Sequence, residues 1–199
     1  MRWEKIFISY DTGDKELVTK ITDSLERIGL EPFKAPDHKE IGSDLALKVI
    51  HAINDSNCFV PILTQNSIKS QWVNQEIGYA YSREELPIFP VVESGLQIKG
   101  FVHHTKENIQ LDVDNPDNAI HDLISSLRNY INRNLSTVNK IYITCKICTK
   151  KYSIDLLSHG EIVRAIEENR LIATHCNGCK SLNNLSPKTF EIKNHLKIA

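Results

Sequence analysis

Four of the five cysteines fall in two Cys-x-x-Cys pairs, Cys145-Lys146-Ile147-Cys148 and Cys176-Asn177-Gly178-Cys179, with 27 residues between them. Four thiolates on two tight turns suit tetrahedral zinc, and a closed four-sulfur site is structural because no coordination position is left for water. The N-terminus, Met1-Arg2-Trp3-Glu4-Lys5, lacks the apolar stretch of a secretory signal. A reducing cytoplasm is therefore expected, where paired thiols hold metal rather than form disulfides. The fifth cysteine, Cys58, lies in an apolar run and reads as a buried core thiol. The other residue of chemical interest is Glu76. It stands four positions after Trp72, so the two share one helical face, with Tyr79 close to the same direction. Val73, Ile77 and Ala80 lie roughly 100° away and form the apolar stripe. A setting that borders that stripe between two aromatics can hold a carboxylate rigid and partly desolvated. Spacing alone, however, favours a solvated surface charge.

Several elements must position these residues. Lys5 to Tyr10 reads as a short buried strand. Asp14 is placed to cap a helix in which Leu17, Val18, Ile21, Leu25 and Ile28 recur at helical spacing, and Gly29 closes it. A strand from Glu31 to Ala35 leads into a loop from Pro36 to Gly42. Ser43 opens a second helix, and Cys58 to Leu63 follows as a central strand, against which Pro61 is an objection. A helix over 67–81, a strand over 87–92, a weaker strand near Ile109 to Val113 and a helix over 116–132 complete the alternation. Strands alternating with helices imply a parallel sheet covered on both faces. The polar joint Asn134 to Asn139 marks a boundary, giving a first domain over 1–135 and a small module over 136–199 that holds a helix from about Ile154 to Asn169. No internal repeat is visible.

Three blocks, in order, resemble the Toll/interleukin-1 receptor (TIR) domain family. They are Phe7-Ile8-Ser9-Tyr10, then Gly29-Leu30-Glu31-Pro32-Phe33 with the Pro36 to Gly42 loop, then Leu63-Thr64-Gln65-Asn66-Ser67 followed by Ser70 to Glu76. The last block is similar to the bacterial and archaeal branch. The resemblance implies a flavodoxin-like, five-stranded parallel sheet of order 2-1-3-4-5 with helices on both faces. Separately, the two cysteine pairs that follow look like a small zinc-binding module of the zinc-ribbon or treble-clef kind. In such a sheet the ligand crevice lies outside the C-terminal strand ends where the order reverses. That edge brings Ser9, Tyr10 and Asp11 beside Thr64, Gln65 and Asn66 and under the start of the 67–81 helix.

In TIR domains that cleave NAD+, a glutamate four residues after such a tryptophan is catalytic, and the resemblance carries that role to Glu76. By the same likeness Tyr10, Phe33, Lys34, Asp37 and Glu40 would line the site. Ser9 and Asp11, from their place at the switch point, and Trp72, as a stacking ring, would also bind substrate. The chemistry suits one carboxylate. Nicotinamide is already a cationic leaving group and needs no general acid, so the site must stabilise an oxocarbenium-like ribose. NAD+ is then substrate, not cofactor, and zinc is structural. The resemblance implies an NAD+ glycohydrolase or cyclase, giving nicotinamide with ADP-ribose or a cyclic isomer, in prokaryotic anti-phage defence. A non-enzymatic TIR adaptor working through TIR–TIR self-association is the rival from another class, and a nucleoside deoxyribosyltransferase is a third.

Other classes are excluded by what the chain lacks. Neither a Gly-x-Gly-x-x-Gly turn after the first strand nor a Walker loop is present. No apolar run approaches the roughly 20 residues of a membrane span, so no membrane partner is expected. The formal charge is -1. In the module Lys146, Lys150, Lys151, Lys180 and Lys188 are offset by Asp155, Glu161, Glu167 and Glu168 without interleaved aromatics. This argues against nucleic acid and for a protein partner of the C-terminal module.

Overall fold

A computed structural model describes residues 4–34, 43–98, 108–134 and 139–196. The Pro36–Gly42 loop, with Asp37 and Glu40, lies outside the described residues. Five short strands form one parallel sheet: β1 (Glu4–Ser9), β2 (Leu30–Lys34), β3 (Cys58–Leu63), β4 (Val91–Glu93) and β5 (Ile109–Leu111). Their order is 2-1-3-4-5, so the chain reverses direction across the sheet between β1 and β3. The helices α1 (Lys15–Arg27), α2 (Ser43–Asn54), α3 (Gln71–Tyr81) and α4 (Asp117–Asn134) cover both faces, with α1 against α4 and α2 against α3. No helix among the described residues is long and apolar enough to cross a membrane.

The helix α1 shows how local chemistry sets the frame. Leu17, Val18, Ile21 and Leu25 are buried at helical spacing. Gly29, at φ 81°, then turns the chain in the left-handed region where a side chain is disfavoured. Asp14 stands at the N-cap position, yet its carboxylate makes no cap hydrogen bond. It accepts instead from Thr64 Oγ1 at 2.6 Å and Asn66 Nδ2 at 2.8 Å, tying the start of α1 to the end of β3.

Two expected elements are shorter than their sequence pattern. Pro87 and Pro90 lack the N–H that a ladder needs. The fourth strand is accordingly reduced to Val91–Glu93, with Ile88 touching Phe59 through one isolated bridge. The expected helix over 67–81 divides into a 3-10 turn at Ser67–Lys69 and α3 proper, because Ser70 is extended at ψ 117°. Pro61 is accommodated within β3 at the last pair of the β1 register, opposite Ser9, where its missing donor interrupts no further rung.

Beyond α4 the chain builds a hairpin, β6 (Lys140–Thr144) with β7 (Lys151–Asp155), then α5 (His159–Glu167). A separate antiparallel sheet follows, of β8 (Ile172–His175), β9 (Leu182–Leu185) and β10 (Ile192–Leu196). The expected helix from Ile154 starts later. Ile154 pairs with Ile141 in the hairpin, and the reciprocal capping box of Ser158 and Glu161 sets the helix start. β6 packs on α1, and Lys188 Nζ donates to Asn118 Oδ1 at 2.7 Å near the start of α4. The buried side chains of both parts belong to one apolar cluster.

Candidate active site and metal centre

Glu76 lies on the face of α3 that packs on the sheet. Val73, Ile77 and Ala80 are buried there, and Glu76 is buried with them at 2% exposure. It is thus inside the apolar stripe, not beside it. Ser9, at the C-terminal end of β1, donates from Oγ to Glu76 Oε2 at 2.5 Å. Oε1 is also shielded from solvent and has no hydrogen-bond partner among the described residues. Burial raises this carboxyl and the Ser9 hydrogen bond offsets part of the rise, leaving it at about 7. One oxygen is fixed and the other is buried without a partner among the described residues, in surroundings of low polarity. Such a carboxylate interacts strongly with any positive charge brought to it.

The remaining expected residues are disposed unequally. Tyr10 is buried next to Ser9, and Trp72 is half-buried one turn before Glu76. Asp11 is occupied locally, its Oδ1 accepting from Gly13 N–H at 2.9 Å. Phe33 is 41% exposed on edge strand β2. Its ring lies 5.7 Å from Phe7, which in turn stacks 5.5 Å from Phe59, so an aromatic row crosses β2, β1 and β3. Phe7 and Ser9 alternate onto the same face of β1, which puts the row and Glu76 on one side of the sheet. Lys34 is exposed beside Phe33. Tyr79 donates to Asn54 Oδ1, an oxygen shared with Arg83, which ties α3 to α2. A cleft of about 1060 Å³ opens elsewhere, between the α1–β2 edge and the hairpin, and none of the expected site residues lines it.

The four knuckle cysteines converge. Their sulfurs lie within 4.8 Å of one another, with Cys145 to Cys179 at 3.7 Å and Cys148 to Cys176 at 3.6 Å. A zinc–sulfur bond of about 2.3 Å requires tetrahedral edges of about 3.8 Å, so the donor set fits one metal ion. Ile147 N–H and Gly178 N–H point at the sulfurs of Cys145 and Cys176. Gly178 leaves room here, since a Cβ would meet Cys148 Sγ at 3.3 Å and would push the exposed Lys150 side chain aside from 2.7 Å. The Ser181 hydroxyl, above all, holds the Cys145 thiol down at about 5 and lowers that of Cys179. Ser181 was not among the residues singled out from sequence. The signal that could have found it is a small polar residue two places after Cys179, where the first knuckle has Lys150. Cys58 is fully buried and pushed up to about 12, first by burial and then by Glu4, which leaves it inert.

The five-stranded 2-1-3-4-5 sheet with an ionisable site at its switch point defines a flavodoxin-like domain of the kind that places chemistry at strand ends. Residues 6–124 match the family model described as TIR domain, and the chain belongs to that family. Among solved structures it is similar to the TIR domain of the Toll-related receptor TRR-2 from Hydra magnipapillata. The identity is 21% and the TM-score 0.51, covering 62% of this chain and 98% of that one. It is also similar to the TIR domains of the activated Roq1 resistosome, which directly recognises the pathogen effector XopQ. There the identity is 15% and the TM-score 0.50, covering 62% of this chain and 99% of that one. No curated protein matches the chain.

Proposed function

We propose that this chain is an NAD+ glycohydrolase whose catalytic residue is Glu76, acting as a signal generator or effector in prokaryotic defence. The observation that carries the reading is the buried Glu76 carboxylate, with Oε2 held by Ser9 and Oε1 unpartnered among the described residues. When a ribose bearing cationic nicotinamide enters, the nearby positive charge returns Glu76 to its ionised form. As the glycosidic bond breaks, positive charge moves onto the ribose ring, and a desolvated, pre-oriented carboxylate stabilises it better than water could. Trp72, one helical turn away, would stack on the substrate. Tyr10, Phe33, Lys34, Asp37 and Glu40 would complete the pocket, and Ser9 would act through Glu76. Capture of the ribosyl cation by water gives ADP-ribose, and capture by the adenine of the same molecule gives a cyclic isomer.

The same proposal divides the chain into a TIR domain over 1–135 and a structural zinc module over 136–199 that meets a protein partner, with the TIR domains self-associating. The decisive assay is nicotinamide release from NAD+ by the purified full chain, with and without a crowding agent. Glu76→Gln, which keeps shape but not charge, should lower turnover by about 10²–10³-fold. Equal release by wild type and Glu76→Gln would remove the enzyme reading and leave a self-associating adaptor.

A further inference from the structure

Three turns of the C-terminal module share one backbone frame. In the first, Cys145 N–H donates to Lys150 O and Thr149 N–H to Cys145 O. In the second, Cys176 N–H donates to Ser181 O and Lys180 N–H to Cys176 O. In the third, Ser186 N–H donates to Glu191 O and Phe190 N–H to Ser186 O. The fifth residue of each turn lies in the left-handed region, Thr149 at φ 59°, Lys180 at 61° and Phe190 at 56°. The third turn is a knuckle without cysteine. Ser186 and Thr189 stand at the ligand positions, and Ser186 Oγ accepts from Lys188 N–H at 3.3 Å. The sulfurs of Cys145 and Cys176 accept in the same way from Ile147 N–H at 3.4 Å and Gly178 N–H at 3.3 Å.

The chain therefore contains its own comparison for the sixth position of the frame, held by Lys150, Ser181 and Glu191. Lys150 is exposed, Glu191 is half-buried, and Ser181 is fully buried. Since the frame forms with a long charged side chain at that place, its backbone does not require a small buried hydroxyl. What distinguishes Ser181 is where its oxygen sits, 3.1 Å from Cys179 Sγ and 3.4 Å from Cys145 Sγ. These two sulfurs belong to different knuckles, one on the β6–β7 hairpin and one on the β8–β10 sheet. Ser181 thus touches both sides of the joint that the metal would close.

We propose that Ser181 is a positioning residue of the metal centre, its hydroxyl donating to a ligand thiolate and holding Cys145 and Cys179 along one edge of the sulfur tetrahedron. This rests on the zinc reading above. A divalent ion with four thiolates leaves net negative charge in a half-buried site, and the fully buried Ser181 hydroxyl relieves it on the Cys145 side, which is shut off from water. The backbone donors to the sulfurs persist whatever side chain stands at 181, so the effect belongs to the hydroxyl.

The test uses the full chain in two matched pairs, wild type with Ser181→Ala and Ser181→Thr with Ser181→Val, the second pair being isosteric and differing in the hydroxyl. Zinc content is counted first and should be one ion per chain. The two hydroxyl-free variants should then lose zinc to a chromophoric chelator about 10- to 100-fold faster than their partners. After cobalt substitution, their sulfur-to-metal charge-transfer band should move to lower energy, because the sulfur lone pairs lose a donor. If the added methyl of the second pair prevents folding, the first pair decides alone. Equal release rates and band energies within a pair, at one ion per chain, would overturn the role of Ser181 and leave the metal site standing. A wild type that takes up no metal overturns both.

Discussion

At the scale of single residues, the ionisation of Glu76 links activity to stability in opposite directions. Its folded value is raised from 4.5 to about 7. The proposed reaction needs the carboxylate, so kcat/KM should fall tenfold per pH unit below about 7 and level off above it. Stability runs the other way. A raised folded value means the native state holds a proton that the unfolded chain has already released. The stabilisation is complete below about pH 4.5 and is lost as pH rises through about 7. Relative to Glu76→Gln, wild type should lose about 3 kcal/mol across that window, which urea unfolding at pH 4, 6 and 8 would measure. A constant difference across the three would mean that the carboxyl is not desolvated. Ser9 sets the same balance from the other side. Ser9→Ala removes the hydrogen bond that lowers Glu76, so the acid limb of the kcat/KM profile should move to higher pH. It should also destabilise the fold by about 1–3 kcal/mol, since both carboxylate oxygens are then buried without a donor. An unmoved acid limb would limit Ser9 to a packing role.

At the scale of elements, the junction of β3, α1 and the Ser67–Lys69 turn is centred on one hydroxyl, with Asn66 Nδ2 and Ser67 Oγ adding bonds beside it. Thr64 Oγ1 donates to Asp14 and accepts from the N–H groups of Asn66 and Ser67. Thr64→Val keeps the shape and deletes all three bonds at a site 2% exposed. The expected loss is about 3 kcal/mol, read from the urea midpoint at unchanged slope. A loss below about 0.5 kcal/mol would show that the junction is carried by packing alone. This network was not legible from sequence. Asp14 looks like a helix cap, and the spacing between residues 14 and 64 says nothing of their contact until the sheet order brings β1 beside β3. The helices and strand order were legible, because apolar periodicity and the three TIR-like blocks are local signals. Boundaries were less so. Ile154 reads as helical by composition, yet pairing with β6 claims it, and the capping box from Ser158 to Glu161 was the better marker. Glu76 was placed beside the apolar stripe and lies within it, since a helical wheel cannot show how deep the Ser9 side of the sheet sits.

At the scale of the whole molecule, the near-zero net charge hides a partition. Residues 1–135 carry 14 basic and 20 acidic side chains, and 136–199 carry 10 basic and 5 acidic, so the bulk charge used to judge partners averages two unlike stretches of sequence. The third knuckle was equally hidden, since Ser186 and Thr189 replace the residues that make the other two visible in sequence. Its place in the assembly bears on what the metal holds together. The hairpin packs on α1, whereas the β8–β10 sheet reaches α4 through Lys188 to Asn118 and through Lys193, 4.0 Å from Asp117. Among the described residues the two sheets share no ladder; they meet through Asn183 Nδ2 to Tyr152 Oη and Lys146 Nζ to Ile192 O, and each supplies two of the four sulfurs. A metal bound there therefore reinforces the joint between two pieces, of which the second reaches α4 by polar contacts. Chelation should free them from each other while the parallel sheet keeps its own ladders. In hydrogen exchange, amides of 140–155 and 172–185 should lose protection on metal removal, those of β1 and β3 should keep theirs, and re-addition of zinc should reverse the change. Protection that stays unchanged after the metal is stripped would show the module to be held by its apolar contacts, and loss throughout the chain would show the two parts to unfold as one.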